Sequence, residues 1–160
     1  MRRLALLTLL ALASTAHAQV QEGLVELGGS GSLRLTDGVF LVLNPTLGYF
    51  VTDRIEVGFN PAFATDFEDG SAFLTAFGAL HFPSEPASRT VPFVGINLGA
   101  SLTDGGGFAF GGQGGIKRFF NPGGALTVAA VVNADDSFDN VSAGVQAGVS
   151  IFLGRVGLDP

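Results

Sequence analysis

From Leu24 onward the chain alternates apolar and polar residues with a period of two, and no stretch carries helical spacing. Val141, Ala143, Val145, Ala147, Val149 and Ile151 oppose Ser142, Gly144, Gln146, Gly148 and Ser150. In 94–102, Val94, Ile96, Leu98, Ala100 and Leu102 oppose Gly95, Asn97, Gly99 and Ser101. In 25–35, Val25, Leu27, Leu33 and Leu35 oppose Glu26, Ser30, Ser32 and Arg34. Segments 41–51, 55–63 and 126–134 follow with lapses, and the Gly- and Phe-rich segments 72–82 and 108–120 complete a set of eight. Successive side chains of a strand point to opposite faces, so each segment presents one apolar and one polar face. Strands of roughly 9–11 residues are long enough to cross the hydrocarbon of a bilayer.

Short connections separate the segments. Thr36-Asp37-Gly38, 65–71, 103–107 and 135–140 form one set; Thr52-Asp53, 83–91 and 121–124 alternate with them. Their Gly, Pro, Asn and Asp residues supply turn geometry. Short connections force antiparallel neighbours, giving an up-and-down meander. Eight such strands close on themselves and leave no edge. The expected fold is all-β: an eight-stranded antiparallel up-and-down transmembrane β-barrel.

Alternation alone does not say which face points outward. A soluble lipocalin-like barrel buries its apolar set, and its exterior needs Lys, Glu and Arg for solubility. Here only 14% of residues are charged, and the polar set is Gly, Ser, Asn, Thr and Gln. Small uncharged side chains suit the crowded lumen of an eight-stranded barrel, which also accounts for 24 glycines in 160 residues. Aromatic residues recur near both strand ends: Tyr49-Phe50, Phe82, Phe119-Phe120 and Phe152 at one, and Phe40, Phe63, Phe67, Phe73, Phe108, Phe110 and Phe138 at the other. Two such belts match the girdles of membrane barrels, although Trp is absent and Tyr occurs once.

The start of the chain reads as an export signal. Arg2 and Arg3 precede a ten-residue apolar region, 4–13, and Ala16-His17-Ala18 supplies a cleavage pattern, so residues 1–18 are expected to be removed. The barrel domain then covers 19–153, and 154–160 form a short tail. Charge is sorted along the expected barrel. Asp37, Asp66, Glu68, Asp69, Asp104, Asp135, Asp136 and Asp139 fall in the first set of connections, whereas Arg54, Arg89, Arg118 and Arg155 fall at the other end. The net charge of −6 argues against a nucleic-acid partner, which calls for a basic stripe. Without cysteine there is no disulfide, thiolate metal site or thiol nucleophile.

The segment Leu47-Gly48-Tyr49-Phe50-Val51-Thr52-Asp53-Arg54-Ile55-Glu56-Val57-Gly58 resembles a recurrent segment of the small OmpA-like and OmpX-like outer-membrane barrels. Pro45 and Pro92-Phe93-Val94-Gly95 fit the same pattern. The resemblance implies insertion into an outer membrane by the insertion machinery, with both termini periplasmic and the acidic loops extracellular, against lipid and lipopolysaccharide. Two departures stand out. Family members end on a phenylalanine, but Phe152 is out of phase with its strand, with Leu153 in the expected place. Pro45 and Pro61 also fall within strands and lie nearly opposite, which predicts a local bulge.

Few charges fall on lumen positions. Glu26, Glu56 and Lys117, with His81 beside them, gather toward one end, and Arg34 lies toward the other. Buried charges pair, because an isolated one costs several kcal/mol. Lys117 bridging Glu26 and Glu56 reads either as an internal ion-pair network or as a gate. His81-Phe82-Pro83-Ser84-Glu85 holds the ingredients of nucleophilic catalysis, but Pro83 stands where barrel deacylases place the residue aligned with the histidine. The acidic stretches match no calcium-loop spacing, and Gly111-Gly112-Gln113-Gly114-Gly115 lacks the helix and Lys-Ser/Thr of a phosphate loop. No catalytic residue, metal or cofactor is expected. The expected role is that of a monomeric structural or surface-interaction barrel. A narrow small-solute channel and an exported soluble barrel for an apolar ligand are the alternatives.

Overall fold

A computed structural model of the protein describes residues 20–35, 39–65, 70–83, 88–103, 107–139 and 141–154. Residues 1–18, Asp37, Asp66, Glu68, Asp69, Ser84, Glu85, Asp104 and Arg155 lie outside the described residues. Eight strands follow in chain order: β1 (Val25–Leu35), β2 (Val39–Phe50), β3 (Ile55–Thr65), β4 (Gly70–His81), β5 (Thr90–Ser101), β6 (Phe108–Asn121), β7 (Gly124–Asp135) and β8 (Val141–Leu153). Each pairs antiparallel with its chain neighbours, and β1 pairs with β8 to close the barrel.

The two faces sort as the alternation requires. Ile96, Leu98, Val145, Phe59 and Leu47 are exposed on the exterior, while Glu26, Glu56, His81, Lys117 and Ser150 are buried inside. Among the strand side chains that are described, Arg118 is the one charged group on the outer surface, where it donates to Thr90 Oγ1 at 2.7 Å. A soluble barrel has the opposite arrangement. This exterior is that of a barrel whose solvent is lipid.

Three local expectations are corrected. First, β5 begins at Thr90, four residues before the alternating run, because Val91 and Phe93 already point inward. Second, Pro45 and Pro61 produce no bulge. β2–β3 pairing lapses between Leu43 opposite Phe63 and Leu47 opposite Phe59, then resumes in unchanged register. That register sets one proline across from the other, so two residues without an N–H share one gap and neither strand needs an extra residue.

Third, the aromatic belt at the termini end divides. Tyr49, Phe82 and Phe120 face outward, but Phe50, Phe119 and Phe152 are buried in the lumen. Phe152 is out of phase with the outward residues of β8 because it points inward, and Leu153 takes the outward place. At the other rim Phe63, Phe108 and Phe138 are exposed, whereas Phe73 points inward.

The seams between strands are unequal. β1 meets β2 over eleven residue pairs, from Val25 opposite Tyr49 to Leu35 opposite Val39. β1 and β8 meet over six, from Val25 opposite Leu153 to Ser30 opposite Gly148. Ahead of β1, residues 20–24 tuck under the barrel. Gly23 N–H donates to the Phe50 carbonyl at 2.8 Å and Phe50 N–H donates to the Leu24 carbonyl at 2.9 Å. The tuck turns at Gly23, whose φ of 84° is a left-handed value that glycine adopts without a steric penalty.

Candidate functional site: a two-storey lumen

The lumen closes at the termini end. Val20 and Leu24 from the tuck meet Phe50, Val91, Phe119, Ala125 and Phe152 in one apolar cluster. These side chains come from β2, β5, β6, β7 and β8, so the cluster crosses the barrel from wall to wall. Phe119 and Phe152 rings lie 5.1 Å apart and Phe50 and Phe152 6.3 Å apart, spacings typical of interacting aromatics.

Directly above this layer sits the charged cluster. Lys117 Nζ donates to Glu26 Oε2, and to Glu56 Oε2 at 2.8 Å. Ser150 Oγ donates to Glu26 Oε1 at 2.6 Å. The ammonium also lies 5.5–5.8 Å from the ring centroids of Phe50, Phe93 and Phe152, within cation–π range. His81 Nε2 stands 3.4 Å from Glu56 Oε2, with the imidazole between Phe50 at 5.1 Å and Phe93 at 5.5 Å. Desolvating such ions costs several kcal/mol each, which only dense mutual contact offsets. Gly48 makes that contact possible: a Cβ there would overlap the Glu56 carboxylate and press on Glu26.

The structure therefore brings together Glu26, Glu56, His81 and Lys117. Arg34 lies in the far part of β1, and its side chain is outside what is described. Asp135, Asp136 and Asp139 lie at the β7–β8 turn, where Ser137 Oγ donates to Asp135 Oδ1 at 3.0 Å and Asp139 N–H donates to Ser137 Oγ at 3.4 Å. Sequence reasoning missed Ser150, the three inward phenylalanines, Gly48 and the tuck. The odd phase of Phe152 was the one available signal.

Beyond the charged cluster the lumen passes a space of about 60 Å³ and then opens into a cavity of about 330 Å³. The cavity carries the carboxamides of Asn44, Asn60, Asn97, Asn133, Gln113 and Gln146. Ser30, Thr46 and Thr75 add hydroxyls, and Phe73 adds one aromatic ring. Among the described residues, no charged side chain lines it. Asn97 Nδ2 donates to Asn133 Oδ1 at 2.7 Å across β6. The Phe73 ring lies against Gly99, where a Cβ would overlap it.

With the geometry in view, solved structures give the frame. The chain superposes on the N-terminal β-barrel domain of Pseudomonas aeruginosa OprF with a TM-score of 0.61 at 17% identity, covering 82% of this chain and 98% of that one. This chain has the fold of the small OmpA-like outer-membrane barrels. Neisserial surface protein A matches at a TM-score of 0.56 and 14% identity, over 80% of this chain and 95% of that one. A de novo designed transmembrane β-barrel matches at 0.61 and 14%, over 85% and 100%. No protein-family model and no curated protein sequence matches the chain.

Proposed function

We propose that the chain is an integral outer-membrane barrel, exported behind residues 1–18, with a structural or surface-interaction role and no catalytic step. The observation that carries this reading is the sealed floor. A wall-to-wall apolar layer and a buried ion cluster stand in series, both drawn from widely spaced strands. Lipid meets the apolar exterior, and the outer-membrane insertion machinery and lipopolysaccharide are the partners this location brings. The barrel acts as a monomer with its acidic connections at the cell surface.

A narrow small-solute channel is the second reading, favoured by the cavity above the floor. Fractionation with heat-modifiable gel mobility tests the location, and planar-bilayer recording of the refolded protein tests the role. Folded protein in the outer-membrane fraction and a silent bilayer are expected. Recovery in the soluble periplasm overturns the first claim. Discrete conductance steps that grow in Lys117→Ala make the cluster a gate and replace the structural role with the channel.

A further inference from the structure

The upper storey of the lumen has a chemistry that floor-sealing does not explain. Its volume, about 330 Å³, falls at the lower end of small-molecule sites, which run from about 300 to 1,000 Å³. Polar lumens are general to membrane barrels, but the storey below shows that side chains alone can fill such a space. The upper cavity stays open, and its polar lining consists of carboxamides and hydroxyls, each class offering both donors and acceptors.

Two of those groups point to a ligand. The carboxamide oxygens of Asn60 and Asn97 are shielded from bulk water and accept no hydrogen bond from the protein. The Asn97 amide is nonetheless held in place, since its nitrogen donates to Asn133 Oδ1 at 2.7 Å. A fixed acceptor that no protein donor reaches suits a guest that brings O–H groups. Phe73, laid over Gly99, supplies the apolar counterpart, a flat ring for the C–H face of such a guest.

The lining also excludes other classes. With no charged side chain among the described residues of the wall, an ionic guest loses its hydration and meets no counter-charge from them. A purely apolar guest leaves the carboxamides unpaired. Below, the narrow space ends on Glu26, Glu56 and Lys117, so the cavity is a blind chamber. We infer that the upper lumen is a binding site for a neutral polyhydroxylated small molecule, of the size of a monosaccharide or a short polyol, held by Asn60 and Asn97 and stacked on Phe73.

Refolded protein in detergent micelles, labelled with ¹⁵N at Asn and Gln side chains, is titrated separately with D-glucose, sorbitol and glucose 6-phosphate. The expected result is a saturable shift of lumen carboxamide signals with glucose or sorbitol, and none with the charged analogue. Asn97→Leu or Phe73→Leu is expected to weaken binding about tenfold, the effect of one lost contact of about 1.4 kcal/mol. Ala62→Phe, which puts a ring into the cavity while keeping every carboxamide in the chain, is expected to abolish it. Heat-modifiable mobility of each variant certifies that the barrel has formed. Absence of any saturable shift, an equal response to the phosphate ester, or undiminished binding in Ala62→Phe overturns the assignment. Because these readouts are local to the chamber, they separate this site from the question of conductance.

Discussion

The two storeys of the lumen share the same eight strands and differ in almost everything else. The lower one is packed with aromatic rings and holds Glu26, Glu56 and Lys117 in mutual contact. The upper one is open, and its described lining is uncharged and rich in hydrogen-bonding groups. A barrel this narrow closes on side chains alone, so packing both halves tightly would give the more stable cylinder. That one half is filled and the other is not separates what holds the barrel together from what is left free to meet a guest. Substitutions in the lower storey therefore act on stability, and those in the upper storey act on occupancy.

The largest effect is expected from Lys117→Met, which leaves Glu26 and Glu56 buried without their cation. A loss of about 3–5 kcal/mol is expected, read as a lower urea midpoint for the folded gel species. Converting Glu26 and Glu56 to Gln in the same chain should return most of it; no return would assign the loss to packing. Phe152→Ala is next, at about 3 kcal/mol for a buried ring, whereas Leu153→Ala on the outer face should cost clearly less.

A neighbouring pair of glycines sharpens the contrast between faces. At Gly115 an added Cβ overlaps the Val128 carbonyl and Ala129, whereas at Gly114 the nearest atoms stand at an ordinary 3.8 Å. Gly115→Ala is therefore expected to cost about 1–3 kcal/mol by overpacking and Gly114→Ala close to nothing. Equal refolding yields for the two would show that this wall yields to a methyl group. In the upper storey, Asn133→Ala removes one side-chain hydrogen bond and should cost about 1 kcal/mol or less. A loss as large as that of Lys117→Met would erase the distinction between the storeys.

The architecture was legible from the residues because membrane strands obey a strict two-fold alternation, and 94–102 or 141–151 show it with hardly a lapse. The ion cluster was legible in outline for a related reason: few charges occur on the lumen face, and buried ones must pair. Other features were hidden by degeneracy. A phenylalanine near a strand end suits a lipid girdle and a lumen plug equally well, and only its phase tells them apart. Phe152 carried that signal, but Phe50 and Phe119 sit beside outward aromatics, Tyr49 and Phe120, that mask it. The proline pair misled because one proline in a strand argues for a bulge, while two facing each other cancel the need. The upper chamber was invisible because a void has no residue of its own; it follows from the sizes of side chains on all eight strands at once.

The unequal seams described earlier have a mechanical consequence. Beyond Ser30 and Gly148, β1 and β8 run on without bonding to each other, and on its other side β2 loses its bonds to β3 around Pro45. The far end of the β1–β2 ribbon is thus attached to the rest of the wall chiefly where 41–43 meet 63–65, like a flap hinged along a short stitch. The amides of 31–35 and 143–147 that point across this slit should exchange with deuterium faster than those bonded between β1 and β8 at the termini end. Ser30, Asn44 and Gln146 line the chamber beside it, so the stiff cylinder has its compliant panel where its contents are held.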